Sequence, residues 1–193
     1  MKELMVMKIT RNQKIALFFG SLILVTAGLV TYSVITSDSP LFLGVQDWKI
    51  EINGAVEQEV SVPYEALYNG TYDTITKEFY FINDYGTEYN IEFTGVKLWD
   101  ILQDAANLTE GADYLYFYSI DEYFTPRMEL NLVENNPEDC ILAFKEEGKW
   151  LKPKNRGGDG PVRAIVGYDL VKPRVNSQYW AKYLFRVVVQ DLV

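Results

Sequence analysis

Histidine is absent from this sequence, and cysteine occurs once, at Cys140. One cysteine excludes an internal disulfide. Without histidine, zinc, copper and haem sites lose their commonest ligand, and neither a Ser-His nor a Cys-His catalytic pair can form. Positive charge is scarce too: 18 Lys and Arg stand against 27 Asp and Glu, a net charge of −9. An acidic body repels a polyphosphate backbone, which excludes nucleic acid as a partner. No loop has the regular oxygen-ligand spacing of a dedicated calcium site, and there is no internal repeat or low-complexity tract.

The charge is unevenly spread. Residues 1–35 carry +3, residues 36–148 carry −18 and residues 149–193 carry +6. The last third is the only cationic part of the acidic region, and a confined cationic patch suits a small anion. That third contains Asn155-Arg156-Gly157-Gly158-Asp159-Gly160-Pro161-Val162-Arg163, followed by the apolar run Ala164-Ile165-Val166. Three glycines in four residues allow a tight backbone whose N–H groups can approach a ligand. Pro161 fixes the exit angle. Lys149, Lys152, Lys154 and Arg156 flank the loop. The expectation is an anion site for a phosphate-bearing ligand, with Arg163 pointing back at what the loop cradles. The alternative is a solvated loop leading into a core strand.

Ile15–Ile35 is a stretch of 21 residues without a charge, preceded by four basic side chains. As a helix it would be about 31 Å long, the thickness of a bilayer core. The expected organisation is a cytoplasmic basic segment (1–14), a transmembrane anchor (15–35), a linker (36–40) and an extracytoplasmic domain (41–193), following the charge asymmetry.

In the domain, Trp48–Ile52 alternates apolar and polar residues, which predicts a half-buried strand. Asn53-Gly54 predicts a hairpin returning over Ala55–Val62. Further strands are expected over Thr74–Ile82, Glu88–Thr94, Tyr114–Ile120, Phe124–Leu130, Cys140–Phe144, Val162–Val166 and Tyr183–Val189. Gly95 is expected to end its strand, with an amphipathic helix from Val96 to about Ala106. Residues 131–139 read as polar connection, and Glu146–Lys149 as a second hairpin. Cys140 reads as a buried small hydrophobe. The fold class is α+β, β-rich with short peripheral helices.

Several stretches fall in a familiar order. They are Trp48 with Asn53-Gly54, Tyr64–Leu67, Phe93-Thr94-Gly95-Val96-Lys97-Leu98-Trp99-Asp100-Ile101-Leu102, Ser119–Tyr123, Ile141–Phe144 and Gly160-Pro161-Val162-Arg163. Together they resemble the molybdopterin-binding domain of the sulfite oxidase family, including its short stand-alone forms. The resemblance implies that family's fold and a pterin whose phosphate end is held by basic side chains and backbone amides. The residues expected to bind it are Gly158, Gly160, Arg163, Arg156, Lys154 and Arg127. Asp121 and Tyr123 match a motif near the family's site. The resemblance also implies a molybdenum-ligating cysteine shortly before the Phe-Thr-Gly-Val stretch, but residues 79–86 contain none. Three functions therefore stand side by side: a binding module for a pterin-like or other anionic ligand, an active molybdenum oxidoreductase, and a scaffold with a vestigial pocket, which would dock a membrane protein.

Overall fold

The computed structural model describes residues 18–26 and 43–191. Of the expected anchor, residues 18–26 are helical, and the remainder of 15–35 lies outside the described residues. Among the described residues no helix is long and apolar enough to cross a membrane. Residues 1–38 and 39–193 form separate compact units.

The second unit contains ten strands: β1 (Lys49–Gly54), β2 (Val60–Pro63), β3 (Thr74–Ile82), β4 (Glu88–Lys97), β5 (Ala112–Ser119), β6 (Met128–Glu129), β7 (Cys140–Glu146), β8 (Lys149–Trp150), β9 (Arg163–Val166) and β10 (Leu184–Asp191). One sheet has the order β2-β1-β10-β5-β6. The other runs β3-β4-β7-β8, with β9 also paired to β7. All pairings are antiparallel except β1 with β10.

Alternation explains the inward faces. Ile50 and Ile52 of β1, Leu115 and Phe117 of β5, and Val187 and Val189 of β10 are fully buried, as period two requires. Their neighbours Lys49, Glu51, Tyr116 and Tyr118 are not. The second sheet adds Phe93, Val96, Cys140–Ala143 and Ala164–Val166 to the same hydrophobic core. Strand β7 is apolar throughout Cys140–Phe144, as befits a strand with neighbours on both edges.

The structure corrects four local expectations. Asn53-Gly54 does not form the hairpin turn: both residues stay in β1, in register with Val188 and Val189 of β10, and the return strand starts only at Val60. Gly54 is needed for close approach, because a Cβ there would lie 2.0 Å from the Val189 carbonyl oxygen. Gly95 does not end its strand. It sits at a register shift where β4 passes β7, and a Cβ would lie 2.5 Å from the Leu142 carbonyl oxygen. The following helix is short, Leu98–Ile101 running into a π-turn at Leu102–Ala106. Finally, Phe124–Leu130 yields only the two-residue β6, and Leu130–Asn135 is helical, burying Leu130 and Val133. The second hairpin does form: Glu147 (φ 49°) and Gly148 (φ 72°) take the two positive-φ positions between Glu146 and Lys149, the backbone twist that suits a tight antiparallel turn.

Cys140 is fully buried, as expected. Desolvation, reinforced by Asp139, pushes its thiol far above the ordinary value of 9.0. Desolvation likewise pushes the Tyr64 phenol up from 10.0. Both groups stay protonated in the folded chain while the unfolded chain ionises. Stability is therefore complete below about pH 9 and falls as pH rises beyond the unfolded values. Urea titrations at pH 7 and pH 10 should show the midpoint dropping at the higher pH. A thiol reagent at pH 8 should label Cys140 only after unfolding.

Candidate functional site

The glycine-rich loop packs back on its own approach. Residues Lys154–Arg156 form a 3-10 turn ending at Gly157 in the left-handed region (φ 73°). The amides of Arg156 and Gly158 donate to the Pro153 carbonyl, Gly157 to Lys154 and Gly160 to Lys152. A Cβ on Gly158 would lie 2.2 Å from the Lys152 carbonyl oxygen, and one on Gly160 2.5 Å from Leu151 Cβ. These glycines thus allow two backbone segments to touch, and four loop amides are engaged internally. Lys152, Lys154 and Arg156 stand exposed around the loop, Lys154 Nζ lying 5.4 Å from the Tyr183 ring centre.

Arg163 does not point back at the loop. It is 8% exposed in β9, opposite Ala143 of β7. Its guanidinium lies 5.3 Å from the Phe93 ring centre and 5.7 Å from that of Trp180. Nη1 donates to Glu146 Oε2 at 2.7 Å, while Nε is buried without a partner. Arg127 is placed elsewhere again, over the Tyr114 ring at 4.5 Å. Of the six expected ligand-binding residues, Lys154, Arg156, Gly158 and Gly160 share the loop, and Arg163 and Arg127 do not join them there.

A different convergence is present. A cavity of about 360 Å³ is lined by Ser119, Asp121, Tyr123, Ser177, Gln178, Trp180 and Lys182. Ser119 ends β5, and Asp121 and Tyr123 belong to the turn after it. The rest come from Asn176–Tyr179, a 3-10 turn, and the chain leading to β10. Three of the stretches singled out in the sequence meet on this last segment. Asp84, in the window before Phe93, accepts from Gln178 Nε2 at 3.1 Å. Tyr123 Oη donates to the Gln178 carbonyl at 2.6 Å. Asp159 of the glycine-rich loop pairs with Lys182 at 2.8 Å, and its carbonyl accepts from the Tyr183 amide.

One residue that the sequence did not flag fixes the segment. Asn176 is fully buried. Its Nδ2 donates to the carbonyls of Tyr80 (2.7 Å) and Val166 (3.1 Å), and its Oδ1 accepts from the Ile82 amide. It therefore ties the cavity wall to β3 and β9. Trp180 Nε1 donates to the same Val166 carbonyl at 2.8 Å. Nothing in local sequence marks Asn176, because its three partners come from residues distant in the chain.

The cavity has unmet polar capacity. Ser119 is 3% exposed and its Oγ has no hydrogen-bond partner, an arrangement that disfavours an empty dry pocket. Burial, then the nearby Tyr179, raises the Tyr123 phenol above its ordinary 10.0, so it remains a donor at neutral pH.

Residues 37–192 match the family model described as the oxidoreductase molybdopterin binding domain. The chain belongs to this family. The sulfite oxidase-like resemblance read from the sequence is thereby established. The molybdopterin-binding fold is also shared with the crystal structure of the sulfane dehydrogenase SoxCD from Paracoccus pantotrophus. That likeness has a TM-score of 0.62 at 21% identity, covering 77% of this chain and 39% of that one. The chain thus spans well under half the length of this neighbour, and the likeness shows the fold alone. No curated protein matches the sequence.

The residues do not fit a thiolate-held molybdenum centre. The window in which the family resemblance implies the ligating cysteine forms the end of β3 and the turn after it, Phe79 to Gly86, with no sulfur. Cys140 lies buried in β7 among apolar side chains. Soft thiolate ligation has no substitute in Phe, Tyr or Ile. Among the described residues no group of three His, Cys, Asp or Glu side chains is placed to hold a metal ion.

Proposed function

We propose that this molybdopterin-family domain is a binding module. The apolar segment 15–35 tethers it on the outer side of a membrane, where it holds a pterin-like or other phosphate-bearing anion without a metal bound to protein sulfur. The observation that carries the reading is the meeting of three stretches on the segment Gln178–Lys182, which walls a cavity containing the unpartnered Ser119 Oγ. Lys182 lies at the cavity, with Lys152, Lys154 and Arg156 on the exposed loop joined to it through Asp159. These groups would draw an anionic end. Asp121, on the cavity wall, suits the N–H edge of an aminopyrimidine ring. Arg163 stands behind Trp180 on the core side, with its charge paired to Glu146. The module's own residues bind and orient; a membrane-bound partner protein would then use or pass on the ligand.

The full chain, purified from a host that makes molybdopterin, tests this. Wild type should retain a pterin, read as its fluorescent oxidation product. Lys182→Ala should reduce occupancy by about tenfold, the worth of one charge-assisted contact. Ser119→Ala should weaken retention less. A wild-type preparation free of pterin, with no phosphate-bearing ligand protecting it against thermal unfolding, would sink the proposal and favour the scaffold reading. Stoichiometric molybdenum with turnover of an oxygen-atom acceptor would favour the oxidoreductase reading.

A further inference from the structure

A second cavity, of about 250 Å³, is walled by Arg127, Lys172 and Arg174. It draws on β6 with its preceding loop and on the turn after the short helix Tyr168–Val171. Three cations around one small cavity stand out in a domain this acidic. Elsewhere, Arg163 and Arg186 are each paired with a carboxylate. Arg127 and Arg174 are not: among the described residues neither has a carboxylate within ion-pair distance. Glu129 lines the same cavity and forms an ion pair with neither, though its charge acts on Arg174. Both guanidiniums are instead held by tyrosines. Arg127 lies over the Tyr114 ring, and Arg174 Nη1 donates to Tyr179 Oη at 3.1 Å. Lys172 pairs with Asp169. The cavity keeps a positive balance after Glu129 and Asp169 are counted. Two planar donor forks, pre-oriented by aromatic contacts, are the arrangement that oxyanions bind best. Leu170 and Val171, both largely buried, add an apolar part to the mostly polar cavity lining.

We propose that this cavity is an oxyanion site, separate from the cleft at Lys182, taking a small organic phosphate with an apolar body. The phosphate sits between Arg127 and Arg174, with Lys172 at the rim, and the apolar body covers Leu170 and Val171.

Calorimetric titration of the full chain in detergent with n-butyl phosphate tests the assignment. Saturable binding is expected. Arg127→Ala/Arg174→Ala should weaken it by about tenfold or more, since charge-assisted contacts carry it, and Lys49→Ala in β1, which lines neither cavity, should leave it unchanged. All three side chains are exposed, so a matching unfolding midpoint for the double variant shows that its fold is intact. Arg174→Lys, which keeps the charge and loses the fork, should recover binding only in part. Absence of saturable binding, or binding lost with Lys182→Ala and kept in the double variant, would overturn the proposal.

Discussion

Gly54→Ala should be among the most damaging single-methyl additions in the domain, lowering stability by about 3 kcal/mol or more through steric overlap and backbone strain. The added Cβ would lie 2.0 Å from the Val189 carbonyl oxygen, and Gly54 has φ 98°. That oxygen already accepts from the Ala55 amide at 2.8 Å, so β10 cannot yield without losing a ladder contact. Gly70→Ala is the control. It shares a positive φ (90°) but meets nothing within 4 Å, and should cost only about 1 kcal/mol of backbone strain. Urea unfolding of the two variants measures the difference. Equal midpoints would show that the β1–β10 contact is looser than described.

The second large effect concerns Arg163. Arg163→Ala should lower stability by about 3 kcal/mol, because it leaves a hole between Phe93 and Trp180 and removes the partner of Glu146. Arg163→Met should lose less than about 1.5 kcal/mol. It fills the same space, and exchanging a largely buried ion pair for apolar packing is often neutral. The partly exposed Glu146 carboxylate can turn to water once its partner is gone. Chemical denaturation distinguishes the two variants. The same pair separates packing from binding: if the guanidinium assists a ligand through Trp180, Arg163→Met should keep the fold yet bind phosphate-bearing ligands more weakly. Equal losses of stability in both variants would mean that the charge, rather than the volume, holds this part of the core.

These residues show what the sequence could reveal. Ile50 and Ile52 alternate with Lys49 and Glu51, so β1 could be read from periodicity. Glu146–Lys149 could be read because its turn is local. Asn53-Gly54 carries the same local signal and is used differently, since the requirement comes from β10, more than 130 residues away. Arg163 was legible as a cation near a glycine-rich loop. Its direction was not, because strand pairing with β7 decides which way it faces. The loop's glycines have a similar history: their number suggested open amides, whereas contacts with Leu151 and Lys152 explain them. Asp121 and Tyr123 were found through family order, and Ser119 stands at the head of the same stretch. Asn176 gave no signal, being defined wholly by carbonyls and an amide brought to it by folding.

Strand β10 lies between β1 and β5 and holds their sheet together, yet it is the last described strand to be synthesised. Until it emerges, β1 and β5 lack their shared neighbour and half of the domain cannot close. As the chain emerges from N- to C-terminus, this sheet therefore stays open until β10 has been made. A chaperone that meets the chain in that interval would find an unpaired sheet edge on both β1 and β5.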